Sequence, residues 1–288
     1  MADEMRGKTV VVTGANSGIG LATASALAQL GAQVCMVCRD QERGRAALDR
    51  IKRVGGATSP DLLLADFASL ESVRALAAQI RERHSRLDVL VNNAGGIFGT
   101  RKLTQDGYEW TFQVNHLAPF LLSNLLLPLL EASAPARVVT VSSTAHRRGH
   151  LNFDDLMGER QYSAPVAYGQ SKLANILFAF QLARLLQETG VTSNCLHPGV
   201  VHTRFANSGN LTWRLFFRYF GFLLLSPEKG ARTSVYLASS PAVAGVTGAY
   251  FIKCKPAQPA KEARDTAIAT RLWDVSAQLV HLPPRVAP

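Results

Sequence analysis

The chain has 288 residues, 47% hydrophobic and 18% charged, which suits a globular protein with a sizeable core and permits one large α/β domain. Four cysteines make no disulfide framework at this size, and no repeat, low-complexity tract or Pro/Ser-rich linker divides the sequence. The formal net charge of +10 is scattered and comes with no aromatic-basic recognition module, so a nucleic-acid partner is not expected.

The first eight residues, Met-Ala-Asp-Glu-Met-Arg-Gly-Lys, contain no apolar signal or anchor, which gives the expectation of a cytoplasmic protein without signal peptide or transmembrane segment. Lys8-Thr-Val-Val-Val-Thr13 is a β-branched run and reads as a fully buried strand. It enters Gly14-Ala-Asn-Ser-Gly18-Ile-Gly20, and an Ala/Leu-rich helix follows over Leu21–Leu30. Backbone N–H groups and a helix N-terminus receive a pyrophosphate in that context. The spacing is G-x3-G-x-G, which departs from G-x-G-x-x-G. Glycines that merely permit positive φ are the plainer alternative, but three in seven residues between a strand and a helix favour a nucleotide site. Further along, strand-like runs at 32–38, 61–66, 87–92, 136–142, 191–197 and 249–253 alternate with helix-like runs at 41–53, 70–83, 109–130, 166–188, 227–238 and 262–279. The alternation predicts one doubly wound α/β domain over 1–288, a parallel sheet with helices on both faces. Cys35 and Cys38 form a C-x-x-C whose side chains would point to opposite faces of a strand, so chelation is not expected and a reduced, intracellular setting is the default.

The stretch Ala-Tyr-Gly-Gln-Ser-Lys-Leu-Ala (167–174) reads as the start of a buried helix and puts Tyr168 and Lys172 on one face, a turn apart. A phenol beside an ammonium is expected to titrate below its reference of about 10 and to exchange a proton with an alcohol or carbonyl oxygen. An amphipathic face with a snorkelling lysine is the competing reading of the pair alone.

Thr13-Gly-x3-Gly18-x-Gly20, Asn92-Asn-Ala-Gly95, Ser143, Tyr168-x3-Lys172 and Pro198-Gly199 occur in the order found in the short-chain dehydrogenase/reductase family, which the chain resembles from about Gly7 to its C-terminal region. Cys38-Arg-Asp40, Val114-Asn-His-Leu117, Ser171-Lys-Leu-Ala-Asn175, His197-Pro-Gly-Val-Val201 and Arg271-Leu-Trp273 resemble the retinol dehydrogenase-type branch, several of whose members carry an N-terminal membrane segment that this sequence does not show. The resemblance implies a Rossmann-like domain with a small substrate-covering lobe at about 204–226. It places Gly14, Asn16, Ser17, Gly18, Ile19 and Gly20 around the cofactor's phosphates, and Asp66 and Phe67 at its adenine. Asn93, Ala94 and Gly95 would line the adenosine ribose, and Pro198, Gly199, Val201 and Thr203 would embrace the nicotinamide. Ser143 would hydrogen-bond the substrate oxygen, Tyr168 would donate or accept the proton, and Lys172 would lower its pKa and hold the nicotinamide ribose. Asn115 would support a water chain that carries the proton outward. Ser143 precedes Tyr168 by 25 residues, a longer gap than in many short-chain enzymes, so 146–163 reads as an insertion beside the site. Ser142 competes for the serine role, and the family pattern favours the second of the pair.

Cofactor choice rests on the end of the second strand. The usual acidic position for the ribose 2′-OH falls at Cys38, and Arg39 follows, which favours NADP(H); the rival reading makes Arg39 a solvated charge and gives the ribose to Asp40. The excess positive charge then serves attraction of an anionic cofactor and of acidic membrane surfaces. His146 and His150 flank Arg147-Arg148, but without an acid or thiol nearby in sequence the stretch reads as a basic loop, and no metal is expected. His197 reads as structural. Three readings of 211–225, rich in aromatics and holding two arginines, stand open: a lid over a long apolar substrate, a helix in a membrane interface, or a homo-oligomer contact. The sequence thus points to an NADP(H)-dependent alcohol dehydrogenase or carbonyl reductase acting on a lipophilic aldehyde or ketone and its alcohol, with retinal/retinol-like compounds, medium-chain aldehydes and steroids as candidates in that order. A catalytically silent NADP(H)-binding regulator or scaffold is the alternative, and the intact Asn115, Ser143, Tyr168 and Lys172 set argues against it.

Overall fold

The computed structural model describes residues 4–55, 59–199 and 225–283. Its first half lays down β1 (Thr9–Thr13), α1 (Gly18–Gln29), β2 (Gln33–Cys38), α2 (Gln41–Val54), β3 (Asp61–Leu64), α3 (Leu70–Arg83) and β4 (Val89–Asn92). A short α4 (Trp110–Phe112) and a π-helical turn (Gln113–Leu117) lead into α5 (Ala118–Ala132), followed by β5 (Ala136–Val141) and a 3-10 turn (Thr144–Arg148). The rest comprises α6 (Ala164–Leu185), β6 (Val191–His197), α7 (Pro227–Ser239), β7 (Tyr250–Ile252), β8 (Lys255–Pro256) and α8 (Thr266–Leu279).

Strand order is β3-β2-β1-β4-β5-β6-β7-β8, with β1 to β7 parallel and β8 antiparallel to β7. Because side chains alternate along a strand, the β-branched runs feed two cores. Val11, Cys35, Val37 and Leu90 face the layer formed by α3, α5, α6 and α8, whereas Val10, Val12, Val34 and Met36 face α1, α2 and α7. Cys35 and Cys38 do lie on opposite faces, Cys38 against Gly44 of α2. On the first face, Trp273 of α8 packs on Phe120 of α5 and Phe178 of α6, at ring distances of 4.8 and 6.0 Å. Each such pair contributes about 0.5–1.5 kcal/mol beyond the area it buries. Tyr108 ties the end of α8 down by donating its hydroxyl to the Leu279 carbonyl, 2.7 Å away.

Three details depart from the sequence expectations. The run 109–130 is not one α-helix, because a π turn widens it at Asn115, whose amide is bonded outside the helix. The run 262–279 starts its α-helix only at Thr266, where the Asp265 carboxylate accepts the N–H groups of Ala267 and Ile268. Strand β8 was not anticipated; Lys253 and Cys254 reach it through a turn in which both hold positive φ, +50° and +61°.

The sheet order reverses between β1 and β4, so their carboxyl ends flank a crevice where open α/β sheets bind ligands. The glycine turn, Asn93–Gly95, Ser143 and Pro198–Gly199 all follow carboxyl ends of parallel strands and so share that edge. Among the described residues no helix is long and apolar enough to cross a membrane.

Candidate active site

The turn after β1 is locked to the end of β4. The Thr13 hydroxyl accepts the N–H groups of Asn93 and Ala94 at 3.0 and 2.9 Å, and the Asn93 amide donates to the Thr13 carbonyl at 2.7 Å. The Asn93 side-chain NH2 is therefore engaged in holding the turn, while Asn93, Ala94 and Gly95 all stay partly exposed at the crevice. Gly14 and Gly18 adopt φ of +67° and +54°, conformations that favour glycine. A Cβ on Gly20 would lie 2.3 Å from the Gly14 carbonyl oxygen, so only glycine allows α1 this close to the turn. Ser17 occupies the N-cap of α1 without a side-chain capping bond, and the first turn of α1 holds no acidic residue. By contrast α2, α3 and α7 open with Glu42, Glu71 and Glu228. The positive end of the α1 dipole thus faces the crevice uncompensated, beside the partly exposed Asn16 and Ile19.

At the end of β2 the Cys38 thiol points to the Asp40 carbonyl at 3.3 Å, and burial raises its pKa, so a neutral group stands where an acid would bind a ribose. The Asp40 carboxylate caps α2 by accepting the Arg43 N–H at 3.0 Å and pairs with the Arg43 guanidinium at 3.5 Å. Arg39 is exposed and makes no hydrogen bond or ion pair among the described residues. Asp66 is partly exposed, its carboxylate accepting the Ala68 N–H at 3.0 Å, while the Phe67 ring belongs to the core and offers only backbone to an adenine.

Asn115, Ser143, Tyr168 and Lys172 lie further along the crevice, with Ser171 between them. Asn115, on the π turn, accepts the Gly96 N–H at 2.7 Å and donates to the Gly96 carbonyl and the Ser171 hydroxyl at 2.8 and 2.9 Å. Ser171 in turn donates to the Tyr168 carbonyl at 2.8 Å, so it joins the π turn to the helix that carries Tyr168 and Lys172. Ser171 was noticed only as part of a motif; its linking role depends on a π bulge that periodicity does not reveal. A Cβ on Gly95 would stand 2.9 Å from the Asn115 side-chain oxygen and 3.3 Å from the Lys172 ammonium, so glycine is what lets those two side chains approach the backbone here. Ser142 is buried and donates to the Lys172 carbonyl at 2.7 Å, whereas the Ser143 hydroxyl accepts the Ala145 N–H at 3.2 Å and lies near enough to the Tyr168 phenol to favour its ionised form. The geometry selects Ser143.

The expected fall in the Tyr168 pKa is not found. Burial pushes the phenol above its ordinary value, and the nearby Ser143 hydroxyl opposes this only in part. Lys172 lies over the ring face, 5.6 Å from its centroid, and donates to the Val141 carbonyl at 3.3 Å rather than to the phenolic oxygen. Burial also pulls the Lys172 ammonium down to about 8. Desolvation therefore dominates both members of the pair.

Gly199 holds φ of +91°, and a Cβ there would meet the Leu225 side chain at 2.4 Å. Val201 and Thr203 lie outside the described residues, as does 211–225 apart from Leu225. The fold brings Glu262 to the exposed His150 at 3.0 Å, while His146 is fully buried and turned away from that pair.

Buried neutral histidines also set an acid limit to the fold. His116 packs among Phe112, Phe120 and Phe178, which hold it at about 3, and His197 lies at about 4, both lowered mainly by burial. Unfolded histidines titrate near 6.5, so the unfolded chain binds more protons once the pH falls below that value. Stability is then expected to hold above about pH 6.5 and to drop toward pH 4, by about 1.4 kcal/mol per pH unit for His116. Urea midpoints measured from pH 7 to pH 5 check this; a flat profile would contradict it.

Residues 8–212 match the short chain dehydrogenase family. The chain is 46% identical to human retinol dehydrogenase 14, covering 96% of this chain and 88% of that one. An uncharacterized protein from Mycobacterium paratuberculosis superimposes with a TM-score of 0.79 at 35% identity, covering 98% of this chain and 96% of its own. Pseudomonas aeruginosa RhlG, solved as an NADP active-site complex, gives a TM-score of 0.68 at 28% identity over 87% of this chain and 97% of its own. The chain belongs to the short-chain dehydrogenase family and is an oxidoreductase. Within that family it falls in the retinol dehydrogenase-type branch.

Proposed function

We propose that this chain, as a single domain, is an NADP(H)-dependent oxidoreductase that interconverts a lipophilic aldehyde or ketone with its alcohol, retinal and retinol-like compounds first among them. One observation carries the reading: Ser143, Tyr168 and Lys172 meet at the same sheet edge as a glycine-lined, acid-free helix N-terminus. The uncapped Ser17 and the acid-free first turn of α1 fit a dinucleotide. Gly14, Asn16, Ser17, Gly18, Ile19 and Gly20 would hold its phosphates, Arg39 a 2′-phosphate, Asp66 and Phe67 the adenine, Asn93, Ala94 and Gly95 the adenosine ribose, and Tyr168, Lys172, Pro198, Gly199, Val201 and Thr203 the nicotinamide end. When bound, a nicotinamide supplies or accepts the hydride.

Ser143 hydrogen-bonds the substrate oxygen and keeps it beside Tyr168. Held above its ordinary value, the Tyr168 phenol is protonated at neutral pH, the form that gives its proton to a carbonyl oxygen during reduction. Lys172, against the ring face, steadies the charge left on that oxygen, and Asn115 holds the backbone of Gly96 in place for water that returns the proton. The name of the human relative supports the substrate class, and 211–225 is assigned to the substrate lid, with membrane and subunit contacts as its further roles in an intracellular setting.

A screen of retinal, medium-chain aldehydes and steroids with NADPH and NADH, read by absorbance of the reduced nicotinamide, tests the proposal. No turnover with any of them would overturn it. In the same assay Arg39→Ala is expected to raise the NADPH KM by about tenfold or more, the loss of one charge-assisted pair. The NADH KM should change little, and equal weakening of both would reject the 2′-phosphate role.

A further inference from the structure

The peptide unit joining Ser143 to Thr144 is gripped at both ends by imidazoles. Its carbonyl, on Ser143, lies 2.6 Å from His146 Nδ1, and its N–H, on Thr144, donates to His197 Nδ1 at 3.3 Å. The other ring nitrogen of His146 accepts the Ala260 N–H at 3.1 Å. A backbone N–H can only donate, so Nε2 carries the lone pair and Nδ1 carries the proton that bonds the Ser143 carbonyl. The partners thus specify one neutral tautomer. His146 is fully buried with its ring edge-on to Tyr250, 5.2 Å between centroids, in a close-packed surrounding. Burial and the neighbouring Arg147 hold it below the ordinary histidine value, which keeps that neutral form.

The loop after β5 is laced to residues 258–262 at other points. Arg147 donates to the Gln258 carbonyl at 2.7 Å, and the Glu262 carboxylate accepts the Leu151 N–H at 3.0 Å. Those bonds hold the insertion; among the described residues only the one through His146 ends on Ser143, whose hydroxyl lies near the Tyr168 phenol.

We propose that His146 is a positioning residue, which transmits the placement of the 258–262 segment to the Ser143 carbonyl and so sets where the Ser143 hydroxyl stands. The proposal rests on the reading of Ser143 and Tyr168 as the groups that meet the substrate oxygen. Its test uses two variants of the full chain that each keep one of the two bonds. Asparagine places an amide N–H where Nδ1 is and keeps the donation to Ser143, and glutamine places an oxygen where Nε2 is and keeps the link to Ala260. Each loses one buried bond, so a purely structural histidine predicts similar melting temperatures and similar rates. Positioning predicts a split. His146→Gln should lose about tenfold or more in kcat with the NADPH KM nearly unchanged, since misplacement by about 1 Å costs up to about 10²-fold. His146→Asn should recover most of that loss. Equal kcat values in the two variants, or a glutamine variant as fast as the native chain, would overturn the proposal. Should the His146 variants not fold, His197→Asn, which keeps an acceptor at the Nδ1 position, is compared with His197→Gln by the same criteria. Tyr168→Phe is assayed in parallel: native rates there would bring down the site reading and this role together, whereas a dead Tyr168→Phe beside indistinguishable histidine variants would reject the positioning role alone.

Discussion

Tyr168→Phe is expected to lower kcat by about 10²–10⁴-fold, the usual contribution of a positioned general acid, while NADPH still binds. The substitution deletes one oxygen. Its ring keeps its place over the Lys172 ammonium, and Lys172 keeps its bond to the Val141 carbonyl, so the fold and the nicotinamide end of the crevice survive. What disappears is the proton held beside the Ser143 hydroxyl. Single-turnover rates and NADPH fluorescence titrations on the same preparation separate the two effects. Native-like turnover in this variant would defeat the mechanism. Loss of binding along with turnover would show that the phenol helps to hold the cofactor, and would confine the conclusion to binding.

Gly20→Ala should have a comparable effect through a different route. The new methyl carbon would sit 2.3 Å from the Gly14 carbonyl oxygen and 2.5 Å from the Asn93 amide nitrogen, and neither is the free end of a flexible side chain. Either α1 moves away from the turn or Asn93 releases the Thr13 carbonyl, and both open the cradle. Overpacking of this kind costs about 1–3 kcal/mol of stability. NADPH affinity is expected to fall by about tenfold to 100-fold, since backbone donors that must converge on one phosphate no longer do so. Gly245→Ala is the control: its added carbon meets nothing within 4 Å, and its φ lies outside the positive region. Undiminished NADPH binding by Gly20→Ala would remove the turn from the site.

Most of the sheet was legible because its signals are local. The Thr9–Thr13 run, the glycines after it and the Ala-rich helix each carry their own steric preference, and together they fix a strand, a turn and a helix in that order. Helix starts with side-chain caps were recoverable in principle; Asp265 shows one that periodicity overran. The π turn at Asn115 was not legible, since it is stabilised by Gly96 and Ser171, far away in sequence. Nor was β8, because Lys253 and Cys254 lack the Asn-Gly signature of a turn with two positive φ values. At the site, spacing correctly put Tyr168 and Lys172 on one face but could not say how each side chain is solvated. Burial reversed the expected shift at Tyr168. In the same way Asn93 has the chemistry of a ribose ligand, and only the fold shows its amide already committed to Thr13.

The indole of Trp273 gives the order of manufacture a meaning. Until that residue has emerged from the ribosome, the phenyl rings of Phe120 and Phe178 lack their cover, and the helix behind Lys172 has no finished backing. A nascent chain stalled short of it would show sticky aromatic surface to chaperones and proteases, so the helix that carries Tyr168 and Lys172 gains its full backing only after Trp273 joins it.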